Sequence, residues 1–261
     1  MVSHSYIKIP SEIILAQDMG KHRALIFSYL YLKQTFDSHV QFSINNICEW
    51  MSYKPDRRKN NISNKIVSTL GLMLEKGYFD EVPSYSIDKG AKHSNYLIVL
   101  KLNTEKFSTN FRFASIFLDE LEAILNYKSS IHSKEDDVNT VSPAYVLLVL
   151  SYIRANMCKS SCCFRYYQTI SSDIGLSRVT VVNAVKILTS LNIIACESCP
   201  AIIYMSQNKT KFNTGIKIFA NTRRFIKNDS GRIVLDENYD AQAVIERQIA
   251  ILGKNSKQIE K

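Results

Sequence analysis

Within Ser177–Ile194, SRVTVVNAVKILTSLNII, polar side chains stand at a spacing suited to reading the edges of bases. Arg178, Thr180, Asn183 and Lys186 fall away from an apolar face made by Val181, Val185, Leu188 and Leu191, which recur at near-helical spacing. An arginine fork matches guanine, an asparagine amide matches adenine, and the methyl groups of Val179 or Val182 suit a thymine methyl. Upstream, Tyr167–Ile174 reads as a short helix, Gly175 as a tight turn and Ser177 as an N-cap. Helix, glycine turn and polar-faced second helix predict a helix-turn-helix, with an ordinary helical hairpin as the alternative.

Other residues with chemical potential form no complete catalytic set. Cys48, Cys158, Cys162, Cys163, Cys196 and Cys199 include one C-x-x-C pair, and a zinc site drawing on the last five is geometrically open. Their irregular spacing favours small buried thiols instead. His4, His22, His39, His93 and His132 contain no His-x-His pair. Gly71 and Gly77 are followed by no Gly-Lys-Ser/Thr, so no phosphate loop is expected. The acidic pairs Asp119-Glu120 and Asp136-Asp137 read as solvated faces, and Tyr166 and Tyr167 as packing beside the helix-turn-helix rather than as nucleophiles. The expectation is binding without catalysis, with no metal and no cofactor.

The chain has 261 residues, enough for one large or two ordinary domains with real cores. Its hydrophobic content of 46% beside 22% charged residues is that of a globular protein. The 33 Lys and Arg against 24 Asp and Glu leave a net charge of +9, which favours a polyanionic partner. No apolar run approaches the roughly 20 residues that span a bilayer. The opening MVSHSYIKIPSE lacks the charged-then-apolar order of a signal peptide. A cytoplasmic protein without membrane attachment is expected, its cysteines reduced.

The elements that must position the reading residues occur twice. Ser28-Tyr29 in IFSYLYLKQ matches Ser151-Tyr152 in VLSYIRANM, an offset of 123 (151 − 28). Each of these helices follows an apolar segment, YIKIPSEIIL from Tyr6 and FRFASIFLDELEAIL from Phe111. Ile66, Leu70 and Met73 match Val181, Val185 and Leu188, an offset of 115 (181 − 66). The difference of 8 (123 − 115) is a longer turn in the first copy, Ser52–Asn61, where Pro55 breaks helix. There Lys54, Arg57, Arg58 and Lys59 cluster just before Asn61, Asn64, Lys65 and Ser68 of the first reading helix, a set suited to phosphate. Preserved order predicts a duplicated domain.

A candidate β-wing follows each reading helix. Glu81–Leu102 has its hairpin tip at Asp88-Lys89-Gly90, with Lys89, Lys92 and His93 as basic groups; Ala201–Asn221 has its tip at Gln207–Lys211, with Lys209 and Lys211. Such tips reach phosphates or the minor groove, unless they are merely solvated hairpins. Lys128–Val141 reads as a surface loop within the second domain. Asn228–Gly231 reads as a turn, and Asp236–Leu252 as a helix whose Val244, Ile245, Ile249 and Leu252 dock on the body or on a partner. The expected architecture is α+β, mainly α: a winged helix-turn-helix domain over 1–105, a second over 106–226 related by duplication, and a C-terminal helical tail over 227–261.

The paired SY-bearing helices, the two reading helices and the two wings, together covering residues 6–224, resemble the tandem winged-helix replication initiators of plasmids and related mobile elements of low-GC Gram-positive bacteria. YIKIPSEII is similar to the opening segment of such initiators. The resemblance implies binding to repeated sites at an origin, local distortion of the duplex and recruitment of host replication proteins. It carries over no catalytic residue. The expected function is sequence-specific binding of double-stranded DNA by a replication initiator or replisome organiser of a plasmid, phage or integrated element, working as monomer or homodimer. The alternatives are a winged-helix transcriptional regulator and a primosome-type scaffold that uses winged helices for protein contacts.

Overall fold

Alternation of Ile7 and Ile9 with Tyr6 and Lys8 gives the first strand one apolar face, and that face determines how the chain folds back on itself. The computed structural model describes residues 6–51, 53, 62–103, 112–127, 141–157, 161–199, 202–206, 209–213, 215–227 and 233–257. In chain order it begins β1 (Tyr6–Pro10), α1 (Ser11–Leu15), a 3-10 turn (Gln17–Met19), α2 (Arg23–Lys33), β2 (His39–Phe42), α3 (Ile44–Trp50), α4 (Ile62–Glu75), β3 (Phe79–Glu81), α5 (Ile87–Lys92) and β4 (Ile98–Leu102). It continues β5 (Phe113–Phe117), α6 (Leu118–Asn126), α7 (Pro143–Ala155), β6 (Cys162–Tyr166), α8 (Tyr167–Ile174), α9 (Arg178–Ser190) and β7 (Ile194–Ser198). The last elements are β8 (Ile202–Ser206), β9 (Lys209–Asn213), β10 (Ile216–Asn221), β11 (Phe225–Lys227), β12 (Ile233–Leu235) and α10 (Ala241–Lys257). The architecture is α+β, with helices joined by small antiparallel sheets. No helix among the described residues is long and apolar enough to cross a membrane.

Two compact units result, Met1–Ala155 with Asp173–Leu176, and Asn156–Ser172 with Ser177–Lys261. In the first, β1 pairs antiparallel with β5, Tyr6 opposite Phe117 and Ile9 opposite Ala114. Ile7, Ile9, Ala114 and Ile116 face inward and are fully buried. Helix α7 packs against both β5 and α2, and both helices are apolar on nearly every side, which is the signature of a core helix. Arg23 is fully buried and donates to Ile13 O (2.8 Å), Ile14 O (2.5 Å), Gly20 O (2.7 Å) and Ile174 O (3.0 Å). Burial pushes its guanidinium down to about 10, still a charged donor at neutral pH. Its fork thereby satisfies carbonyls at the ends of short helices that have no intrahelical partner.

Backbone details recur at the offsets seen in the sequence. Ser38 and Ser161 both take positive φ (67° and 61°) just before β2 and β6, an offset of 123 (161 − 38). Gly77 and Asn192 (φ 69° and 53°) close α4 and α9, an offset of 115 (192 − 77). Tyr78 N donates to Met73 O and Ile193 N to Leu188 O, each at 3.0 Å, the long bond of a Schellman cap. Ser28 and Ser151 return their hydroxyls to Ala24 O and Leu147 O, one turn back, at 2.8 and 2.7 Å. Tyr29 meets Trp50 edge-on at 5.3 Å, and at the matching positions Tyr152 donates to Asp173 at 2.5 Å. The three-stranded sheets have orders β2-β4-β3 and β6-β10-β7.

Several expectations need correction. The tip placed at Asp88-Lys89-Gly90 is helical: these residues belong to α5, with Ile87 and Gly90 buried. A Cβ on Gly90 would lie 2.4 Å from Ile98 Cδ1, so this glycine serves close packing on β4 rather than a turn. Lys209 and Lys211 are strand residues of β9, opposite Ser206 and Tyr204, because β8–β9 pairing runs up to positions 206 and 209. Glu120 is not solvated. It accepts from Phe117 N at the start of α6 and from Arg154 Nη1 (2.5 Å) and Nη2 (2.8 Å), while Arg154 also donates to Ser115 O at 2.8 Å. Both charged side chains are buried, and two parallel bonds compensate their desolvation.

The compact units also divide elsewhere than at 105/106. A cut there separates β1 from β5 and α2 from α7, the pairs that bury each other's apolar faces. Helix α10 docks on the body, the first of the two expected outcomes: Val244, Ile245, Ile249 and Leu252 pack on Cys162, Cys199, Ile218 and Ala220 within the second unit. Of the expected loop Lys128–Val141, residues 128–140 lie outside the described residues, and Val141 is buried.

A fragment of residues 1–105 is expected to lack a cooperative thermal transition by circular dichroism, where the intact chain has one. A sharp transition in the fragment would show that β1 needs no β5. Arg154→Ala leaves Glu120 buried and unpaired and should cost about 3–5 kcal/mol in urea unfolding. A cost below about 1 kcal/mol would mean that solvent reaches the pair.

Candidate nucleic-acid interface

Helix α9 forms where its sequence places it. Gly175 adopts φ +73°, a conformation that an L side chain rarely takes, and a Cβ there would stand 3.0 Å from Gln17 Oε1. Gln17 Nε2 donates to Asp173 O at 3.1 Å and Arg23 Nη2 to Ile174 O at 3.0 Å, so the two residues before the glycine are tied down within the first unit. Ser177, in extended conformation, accepts from Thr180 N at 3.1 Å and caps the helix. Val181, Ala184, Val185 and Leu188 are buried at helical spacing, and Leu191 ends as the half-buried C-cap.

The opposite face is open. Arg178 and Lys186 are exposed, Val179 is 61% exposed, and Val182 and Asn183 are half-buried. Thr180 has a different role from that expected: its hydroxyl lies 2.8 Å from Ser177 Oγ, so Ser177 and Thr180 first serve the cap. Beside this face lies a cleft of about 540 Å³ lined by Tyr167, Arg178, Val182, Ser198, Gly215 and Lys217, with Cys199 at its wall. Lys217 Nζ donates to Ser198 Oγ at 2.5 Å and sits 5.6 Å from the centre of the Tyr167 ring. Lys217 was not singled out from the sequence. The available signal was its place in IKIF, where alternation turns a lone lysine away from the face that buries Ile218.

The first unit gathers a second polar group. Asn64, Lys65 and Ser68 are exposed on α4, one turn apart, while Ser63, Ile66, Leu70 and Met73 are buried behind them. The three line a cleft of about 540 Å³ with Gly20, Lys21, His22 and Tyr145. Asp18 stands on its rim but is held by Lys76 at 2.6 Å, and the hydrogen bond from Lys76 keeps its carboxyl below the usual range. His22 is buried, its ring 5.8 Å from Tyr145 and 6.0 Å from Tyr53. Burial, with Lys65 and Lys21 nearby, pushes its pKa down to about 4.

Lys89 and Lys92 are exposed on α5, and Lys89 Nζ donates to Ser84 O at 3.1 Å. Arg57, Arg58, Lys59 and Asn61 lie outside the described residues, as do the side chains of Lys209 and Lys211. Cys48 is buried on α3, and the other described thiols occupy both faces of one sheet. Cys163 and Cys196 flank Phe219, whereas Cys162 and Cys199 join Ile218 under α10. Among the described residues no group of three His, Cys, Asp or Glu stands close enough to hold a metal. Burial raises the Cys196 and Cys199 thiols, which disfavours the thiolate. Tyr167 is likewise raised by burial and lies 3.8 Å from Cys196 Sγ.

The folded pKa of His22, about 4, lies below its ordinary 6.5, so unfolding takes up a proton between those values. Stability from this group is complete above about pH 6.5 and falls as pH drops toward 4, by at most ~3 kcal/mol. In urea titrations at pH 7.5 and about 4.5, His22→Phe should lose less stability than the parent chain; equal losses would place His22 in solvent. No protein-family model matches the chain, and no curated protein sequence matches it, so the functional reading rests on these residues.

Proposed function

We propose that the chain is a sequence-specific double-stranded DNA-binding protein built from two winged-helix modules in tandem, and that it serves as a replication initiator or replisome organiser of a plasmid, phage or integrated element. The observation that carries this reading is the outer face of α9. Arg178 and Lys186 flank exposed Val179, and Lys217 adds a third cation from the sheet beside them. A face bearing arginine, asparagine and β-branched methyl groups matches the donor, acceptor and methyl pattern of the major groove. Lysines around it supply phosphate contacts that set orientation.

Support for two modules comes from the repeated sheet order, the matched Schellman caps and the matched positive-φ serines. In each copy a three-stranded sheet follows the pattern of a winged helix: its first strand precedes the helix pair, and its last two follow the reading helix. Two modules in one chain suit adjacent half-sites on one DNA, because the second contact forms at high effective concentration. That arrangement, with a net charge of +9, favours an initiator over a regulator carrying one module per subunit. Host replication proteins are the protein partners that this role requires. The reading involves no catalysis and no cofactor.

Arg178→Ala and Asn183→Ala should each cost about 1–3 kcal/mol on the cognate duplex and little on a scrambled one. The cognate duplex is obtained by selection from a random pool, and affinity is measured by fluorescence anisotropy. Lys217→Ala should weaken both duplexes alike and reduce the salt slope by about one. Equal losses on both duplexes for Arg178 and Asn183 would demote them to phosphate contacts, and failure of selection to enrich any sequence would remove the sequence-specific reading.

A further inference from the structure

The cleft beside α4 holds more than a DNA-reading face needs. Its floor is aromatic, with buried His22 against Tyr145. Its cations are Lys21 and Lys65, while the acid on the rim, Asp18, is engaged by Lys76. Lys21 Nζ lies 5.9 Å from the centre of the Tyr145 ring, so cation and ring border the same space. Asn64 and Ser68 add polar groups one turn apart, and the loop 18–22 lies opposite the helix. At about 540 Å³ the space is far larger than a lone phosphate ion and is in the range of small-molecule sites.

We propose that this cleft binds a nucleoside phosphate, with Lys21 and Lys65 on the phosphate and the ring of Tyr145, backed by His22, along the base. Two cations with no carboxylate partner among the described residues favour a dianion, and the ring wall favours an aromatic group of the size of a nucleobase. A simple monoanion would use neither the volume nor the rings. Burial is the main cause of the lowered His22 pKa, and the ammonium groups of Lys65 and Lys21 add to it; a bound phosphate would relieve that added repulsion. The same chemistry is offered by a free nucleotide and by one nucleotide of a single strand. This inference goes beyond the reading of α9 and stands without it, since all its residues belong to the first unit.

The test uses the full chain labelled at histidine and follows the His22 ring signals by NMR during titration with adenosine 5′-monophosphate, a short single-stranded oligonucleotide, and inorganic phosphate. A saturable shift of His22 and an upward move of its pKa with the free nucleotide or the single strand are expected, the responding probe identifying the source. Lys21→Ala and Lys65→Ala should each weaken that binding by about tenfold, with Lys21→Arg largely restoring it. No response of His22 to either nucleotide probe overturns the proposal. So does an equal response to inorganic phosphate, which would leave the rings without a role, and so does unchanged affinity in both alanine variants. Duplex binding by the parent chain, measured in parallel, keeps the outcomes separate: its loss counts against the DNA reading, whereas loss of the nucleotide response alone counts only against this site.

Discussion

Antiparallel pairing of β1 with β5 is the constraint on which the first unit depends. It joins segments more than a hundred residues apart and buries the inward faces of both, Ile7 and Ile9 against Ala114 and Ile116. Neither strand has another partner among the described strands. A two-stranded ribbon is marginal alone, so it needs a helix on its apolar face, and α7 supplies it. Helix α7 in turn lies against α2, and the two nearly all-apolar helices remove each other from water. The consequence is topological: a segment late in the first unit completes a core that the first residues begin.

Two buried arginines show how the same core accommodates charge. Arg154 is matched by Glu120, and the pair draws in Ser115 O of the ribbon. Arg23 works differently, spreading its donors over backbone carbonyls of α1, the 18–22 loop and residue 174. In both cases a planar fork meets several acceptors at once, an arrangement that one ammonium group cannot supply. These bonds hold irregular segments, which have no ladder of their own, in a single conformation.

The candidate interface combines rigidity with unspent charge. Helix α9 is capped by Ser177 at one end and by the Asn192 backbone at the other, so its outer residues project from a well-defined helix. The neighbouring cleft adds Lys217 and Tyr167 from elements other than α9 itself. Helix α4 presents Asn64, Lys65 and Ser68 into a cleft of similar volume, walled by His22 and Tyr145. The two helices thus offer different chemistry, because the loops and neighbours around them differ.

Much of this protein was legible in the sequence wherever short-range periodicity and end signals sufficed. Helix α9, its Ser177 cap, the Gly175 turn, the apolar face of α10 and the offsets of 123 and 115 all follow from residues within a few turns of one another, or from direct repetition. Tertiary structure alone decided the rest. Asp88-Lys89-Gly90 has the composition of a turn, yet becomes helix because Gly90 fits against Ile98, a contact that no local pattern encodes. Glu120 looks like a surface acid until Arg154 is brought to it, and Lys217 and Lys21 gain their places only from the clefts around them. Pairing of β1 with β5, which moved the unit boundary to Ala155, is likewise invisible locally, since an apolar strand face states that it must be covered but not by what. Local conformation depends on neighbours in sequence, whereas burial and charge pairing depend on neighbours in space.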